Sequence, residues 1–234
     1  MTRTETQEII HLEDVEKIYE MGDTEVRALR GSDLSIKQGE FIAVMGPSGS
    51  GKSTLMNMMG ALDVPTKGLV EVADRNLSEM GPDELALLRN EKVGFIFQEF
   101  NLLKNMNTIQ NVMLPLTIME TPEAERKERA TKLLEQVGLG DRLQHMPSEL
   151  SGGQRQRVSI ARALANDPDI VLADEPTGNL DTDTGAKIMD LLTEFNEQGK
   201  TIIMVTHDPN DAEYADRTIK IVDGVTHPGE DDES

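Results

Sequence analysis

The chain has 234 residues, no cysteine, and 43 acidic against 23 basic side chains, a formal net charge of −20. Disulfides, thiolate metal sites and cysteine nucleophiles are thereby excluded. A surface this acidic repels polyanions and anionic lipid, which counts against nucleic-acid partners and direct lipid insertion. Solubility alone and adaptation to a salt-rich cytoplasm both fit that charge, and the two readings stay open.

The amino-terminal residues lack the apolar core of a signal peptide, and no run approaches the ~20 apolar residues of a membrane span. If the protein works at a membrane, another chain supplies the membrane part. The stretches EIIHLEDVEKIY and VRALRGSDLSI, joined by EMGDTE, read as two strands. Glu40 to Met45, EFIAVM, is a short apolar strand that runs into GPSGSGKS, and KSTLMNMMGAL follows with helix formers. Strand, glycine loop and helix together form the nucleotide-binding unit of α/β proteins. GLVEV and VGFIFQ read as further strands.

From about Thr108 to Ala165 the pattern is mostly helical. PEAERKERATKLLEQVG places Pro122 to start a helix and Gly138 to stop it, with Leu133, Leu134 and Val137 on its apolar face. DIVLADEP then reads as a buried strand. Ile188, Leu191, Leu192 and Phe195 fall at helical spacing in a segment ending at Gly199. TIIMVTH and RTIKIVDG complete the strands. The expected organisation is one domain over residues 1–224. Its α/β core spans 1–97 and 166–224, a helical subdomain is inserted at 98–165, and an acidic tail at 225–234 is expected to be disordered.

Gly46 to Ser53 fits G-x-x-x-x-G-K-[ST] at every fixed position. The glycines let backbone N–H groups turn inward around the β- and γ-phosphates, Lys52 adds a mobile positive charge, and Ser53 offers a hydroxyl to Mg²⁺. The nucleotide-binding candidates are Gly46, Pro47, Ser48, Gly49, Ser50, Gly51, Lys52, Ser53 and Thr54. In IVLADEP two carboxylates stand at the end of a buried strand. Asp174 is placed to reach the metal's coordination shell, and Glu175 to orient or deprotonate an attacking water. A third element, LSGGQRQR, sets Ser151, Gly152, Gly153 and Gln154 at a helix start, a natural anion site without a lysine.

LSGGQ between a glycine loop and an LADEP strand resembles the ATP-binding cassette (ABC) ATPases, and the likeness runs from His11 to about Gly224. The resemblance implies a P-loop core with an amino-terminal antiparallel β subdomain and the inserted helical subdomain. It implies ATP and Mg²⁺ as ligands, with Ser151, Gly152 and Gly153 contacting the γ-phosphate of a nucleotide held by a second copy. It places Tyr19 as an adenine-stacking aromatic, Gln98 as a sensor of Mg²⁺ and the attacking water, Asp181 of GNLD in a loop crossing the dimer interface, and His207 as a switch at the γ-phosphate.

Stretches such as FQEFNLLKNMNTIQNVMLPL and DEPTGNLDTDTG are similar to cassettes of the macrolide-export and lipoprotein-release branch. Their partner is a four-span permease with a large extracytoplasmic domain, and they lie on the inner face of the membrane. The rival reading is a soluble chromosome-maintenance or repair ATPase. Such proteins carry long coiled-coil insertions, and sustained heptads are absent from this sequence.

Overall fold

The computed structural model describes residues 7–22 and 24–228. Two sheets share the chain. The first is antiparallel, in the order β2-β1-β4-β5, built from β1 (Glu8–Met21), β2 (Thr24–Lys37), β4 (Lys67–Val72) and the short β5 (Arg75–Asn76). The second runs β10-β9-β3-β8-β7-β6, from β3 (Phe41–Met45), β6 (Val93–Ile96), β7 (Ile170–Asp174), β8 (Thr201–Val205), β9 (Arg217–Val222) and β10 (Val225–Pro228).

Strands β9, β3, β8, β7 and β6 are mutually parallel. Their near-continuous apolar composition follows from that arrangement, because a parallel sheet is covered on both faces. All residues of β8, and the first four of β3 and of β7, are buried. Being parallel, β3, β6, β7 and β8 all deliver their carboxyl ends to one edge of the sheet, the edge where α/β proteins place ligands.

Two apolar clusters hold these layers. One joins the antiparallel sheet to the parallel sheet around α1 (Lys52–Met59), through Leu12, Ile36, Ile42, Leu55, Met58 and Val70. The other joins the opposite face to the helices α3 (Thr108–Ile118), α4 (Glu123–Gln136), α5 (Gly152–Ala163) and α6 (Thr182–Glu197), through Val112, Leu134, Ile160, Ile188 and Leu192. Pro122 sits just before α4, Gly138 takes φ 73° just after it, and Gly199 takes φ 95° beyond α6. These are the stop conformations that glycine adopts without a Cβ clash.

Two features depart from the expectation. A helix α2 (Pro82–Lys92) fills a stretch that carried no helical reading; Glu84 returns its carboxylate to the Gly81 N–H at 2.8 Å and closes its first turn. The tail does not begin at Val225: Val225 to Pro228 pair antiparallel with Val222 to Ile219 as strand β10, so those residues are ordered by the ladder of β9. The remainder of the expected tail, residues 229–234, lies outside the described residues.

Candidate functional site

The glycine loop leaves β3 and enters α1 through Gly46–Gly51. Its shape is imposed by crowding. A Cβ on Gly46 would lie 2.2 Å from the Ile221 carbonyl oxygen, and one on Gly51, whose φ is 108°, would lie 2.5 Å from that of Ala28. Gly51 caps α1 with no side-chain hydrogen bond, so its first-turn amides keep their capacity for an anion. Lys52 folds back, its Nζ donating to the carbonyls of Gly46 at 2.7 Å and Pro47 at 2.8 Å. Ser50 is buried beneath the loop with an unpartnered Oγ, and its carbonyl accepts from Gly224 N–H at 2.9 Å.

A cleft of about 570 Å³ opens beside this loop. Gly46, Ser48, Gly49, Gly51, Lys52, Ser53 and Thr54 line one side, and Asp174, Glu175 and His207 the other. The convergence follows from topology. Asp174 ends β7 and His207 follows β8; β8 pairs in parallel with β3 on one side and with β7 on the other. Val26, Arg27 and Ala28 of β2 close the mouth. Sequence reasoning missed these three; the available signal was an apolar residue, Val26, directly opposite Tyr19 in the β1–β2 ladder.

The acidic end of the cleft is electrostatically tense. Burial pushes the Asp174 carboxyl above the usual range, the adjacent Glu175 carboxylate adds to the rise, and the Lys52 ammonium opposes it. A divalent cation would relieve that repulsion, and the Ser53 hydroxyl lies in the same cleft. Among the described residues no three acidic or imidazole side chains form a preformed cage. That suits Mg²⁺, which takes one or two protein ligands and completes its shell with water and phosphate.

Glu175 has φ 44°, an uncommon conformation for a residue with a side chain. Its Oε1 lies 3.0 Å from His207 Nδ1, a hydrogen bond donated by Nδ1–H or, with the ring protonated, an ion pair. The loop after it is tied down twice. Thr177 donates to the carboxylate of Asp211, in the short helix α7 (Pro209–Ala212), and Asn179 Nδ2 donates to Gln98 O at 2.9 Å. Gln98, two residues beyond β6, reaches the same corner: a Cβ on Gly178 would stand 2.8 Å from Gln98 Nε2 and 3.3 Å from Glu175 Oε2.

Tyr19, Asp181, Ser151, Gly152, Gly153 and Gln154 lie away from the cleft lining, and Pro47, Ser50 and Gln98 are not part of it either. Tyr19, on β1, donates its hydroxyl to Asp63 at 3.0 Å, and Lys17 Nζ sits 5.1 Å from its ring centre. Burial raises its phenol pKa, and a hydrogen bond with Thr54 in the first turn of α1 pulls the other way. Asp181 is the cap of α6, accepting from Thr184 N–H at 3.0 Å and Thr184 Oγ1 at 2.7 Å. Ser151 caps α5, accepting from Gln154 N–H at 3.3 Å, while Gln154 Oε1 accepts from Ser151 N–H at 2.9 Å. Gly152 and Gly153 lie in the first turn of α5 and are not among the residues lining the cleft.

The profile of the family described as ABC transporter matches residues 29–178, well over half of the chain. An ABC transporter ATP-binding protein of Thermotoga maritima, otherwise uncharacterised, is 51% identical over 93% of both chains. The chain belongs to the ABC transporter family of ATP-binding cassettes. It is equally similar, at 51% identity over 94% of its length, to the macrolide export ATP-binding/permease protein MacB of Hyphomonas neptunium, of which it spans about a third (34%). Among solved structures, the ATP-binding cassette MJ0796, captured as a dimer in a post-hydrolysis state with ADP and Pi, superposes with a TM-score of 0.85. It is 45% identical, covering 94% of this chain and 98% of that one. The fold is therefore that of an ABC ATPase cassette. None of the described helices is long and apolar enough to cross a membrane.

Proposed function

We propose that this chain is the ATP-binding and hydrolysing subunit of an ABC transporter of the macrolide-export and lipoprotein-release branch. It works as a head-to-tail pair beneath a separate membrane permease, at the inner face of the membrane. One observation carries the reading. A glycine loop, an acidic pair and a histidine converge on one cleft, while Ser151 and its glycines form an anion-capable helix start outside that cleft. A phosphate site that does not face the chain's own nucleotide is a half-site for a second copy. That MJ0796 was captured as a dimer with ADP and Pi supports the reading.

In the pair, the loop amides and Lys52 hold the phosphates, and Tyr19 stacks on adenine. Lys52 exchanges the Gly46 and Pro47 carbonyls for phosphate oxygens. Ser53, Gln98 and Asp174 are the residues that would hold Mg²⁺, which when bound neutralises charge on the β- and γ-phosphate oxygens. Glu175 orients a water in line with the γ-phosphorus and accepts its proton. The new P–O bond forms as the bond to the ADP oxygen breaks. His207, now paired with Glu175, turns to the γ-phosphate and leaves that carboxylate free for the water. Ser151, Gly152, Gly153 and Gln154 of the partner close over the γ-phosphate, with Asp181 in the loop between the subunits. Loss of inorganic phosphate removes the bridge and opens the pair.

The inserted helices supply the permease contact. A groove of about 470 Å³ is lined by Phe95, Phe97, Leu114 and Pro115, with Leu62 and Ile118 exposed at 50% and 66% on its rim. Exposed apolar surface rimming a groove marks an interaction site. Phe97, in the groove's lining, immediately precedes Gln98. In the decisive experiment, Glu175→Gln lowers ATP turnover by about 10²–10⁴. With Mg·ATP it also shifts the protein to a dimer on size exclusion. A variant that stays monomeric at saturating ATP, alone and with permease, contradicts the sandwich.

A further inference from the structure

The strained Glu175 needs neighbours that hold it in place, since such conformations persist only where the surroundings over-determine them. Its N–H donates to Val205 O at 2.9 Å and its carbonyl accepts from Gly178 N–H at 3.1 Å. The next carbonyl, Pro176 O, is held from a different direction: Gln156 Nε2 donates to it at 2.7 Å. Gln156 is completely buried (0% exposed) and belongs to α5, about one and a half turns beyond Ser151. The helix that presents Ser151 outward is thus pinned by its inner face to the residue following the catalytic carboxylate.

Two details argue that this amide serves more than stability. Its Oε1 is buried without a partner. An orphaned buried acceptor is destabilising, which argues against an amide kept for stability alone. The start of α5 is also packed closely against Leu180 and the first turn of α6. A Cβ on Gly153 would meet Thr184 Cγ2 at 2.3 Å, and one on Gly152 would meet Leu180 Cδ2 at 3.2 Å. Helix α5 is thus the direct link between Ser151 and the Pro176 carbonyl.

We propose that Gln156 is a positioning residue for hydrolysis, carrying the state of the Ser151 end of α5 to Glu175 of the same chain. The inference rests on the ATP-sandwich reading: a nucleotide of the partner copy gripped at Ser151 sets the backbone of Glu175 in the chain that grips it. Each site then reports its occupancy to the other through one helix.

The test measures phosphate release against ATP concentration for the full chain and for Gln156→Met, Ser151→Ala and the double variant, with Glu175→Gln as control. Methionine keeps the shape and removes both the bond to Pro176 and the orphaned oxygen. With Gln156→Met, kcat falls about ten- to a hundredfold, the range expected when a reacting group shifts by up to 1 Å. The affinity of the isolated chain for a fluorescent ATP analogue stays within about twofold. The double variant is no slower than the slower single one, because the two residues act in series. A kcat within about twofold of the parent, or two losses that multiply, overturns the proposal. If Gln156→Met does not fold, Gln156→Asn, one methylene too short to reach Pro176 O, is read by the same criteria. If the parent releases no phosphate, or Glu175→Gln keeps pace with it, the cassette reading fails and this inference with it. If both controls behave and the Gln156 variants are silent, this inference alone fails.

Discussion

In the ATP-sandwich proposed for this cassette, two helix N-termini meet phosphate, and they are built differently. At α1 the cap is Gly51, in a left-handed conformation with no side chain to satisfy the first-turn amides, and a lysine follows at once. At α5 the cap is Ser151, locked with Gln154 into a reciprocal pair of hydrogen bonds. The first end is committed to its ligand at some expense to the fold, since glycine caps a helix without an acceptor and loses more entropy on folding. The second completes its own capping without a ligand. Its serine accepts from Gln154 and still has an O–H to donate. An end that always faces its own nucleotide can be left bare, whereas one that meets phosphate only when two copies close must be stable in between.

Lys52→Ala breaks the bare end. Two charge-assisted bonds to phosphate, each about 1.5–3 kcal/mol, disappear, so ATP affinity falls by at least about a hundredfold, measured by equilibrium binding to the isolated chain. Its stability without nucleotide changes less than its affinity, because without ligand the lysine holds two loop carbonyls and only partly offsets the Asp174 charge. The opposite pattern at either readout would erase the contrast between the ends. Ser151→Ala probes the capped end and has a smaller functional effect: ATP affinity of the isolated chain is unchanged, while turnover drops about tenfold through loss of one phosphate donor. The same change removes the cap and costs about 1 kcal/mol in denaturant unfolding. Ser151→Thr keeps a hydroxyl and restores most of both. If alanine lowered turnover without touching stability, the dual use of the serine would be wrong.

The legible parts of this molecule were those where one residue type answers to one physical need. The buried run of β3 followed by glycines and Lys52 could only be a strand feeding a phosphate loop. Asp174 ends β7 and Glu175 follows it, so both stand at the carboxyl edge of the sheet, after four buried apolar residues. What escaped notice depends on packing across long separations. Helix α2 buries only Leu88, so no apolar periodicity betrayed it. Strand β10 exists because β9 offers it a ladder, and nothing in its own polar composition demands one. Val26, Arg27 and Ala28 reach the cleft because the antiparallel sheet folds over α1. Gln156, a polar residue in the run after the glycines, is buried to donate to a carbonyl 20 residues away. Asp181 shows the converse. Its family motif pointed to an interface, and the single chain shows a helix cap that leaves the residue exposed.

The smallest expected effect concerns what the bare end costs the fold. Asp174 sits where burial and Glu175 both oppose its negative charge, with Lys52 compensating only in part. A carboxyl whose pKa is raised in the folded state binds its proton more tightly there than when unfolded. Below the unfolded value, near 4, both states hold the proton and the charge imposes no penalty. As pH climbs from the unfolded value toward the raised folded-state pKa, the unfolded chain ionises while the folded one keeps its proton, so stability falls. The penalty is full above the folded-state pKa. Asp174→Asn removes that charge while keeping the shape. In thermal unfolding without nucleotide or divalent cation, the variant therefore melts a few degrees above the parent near neutral pH. The gap closes as the pH is lowered toward 4. With Mg·ATP present the order reverses, because the parent alone gains from a cation held beside that carboxylate. A variant that melts below the parent at neutral pH without ligand would show that the acidic pair is stabilised by the fold around it. The cost of readiness would then have to lie in the glycine loop alone.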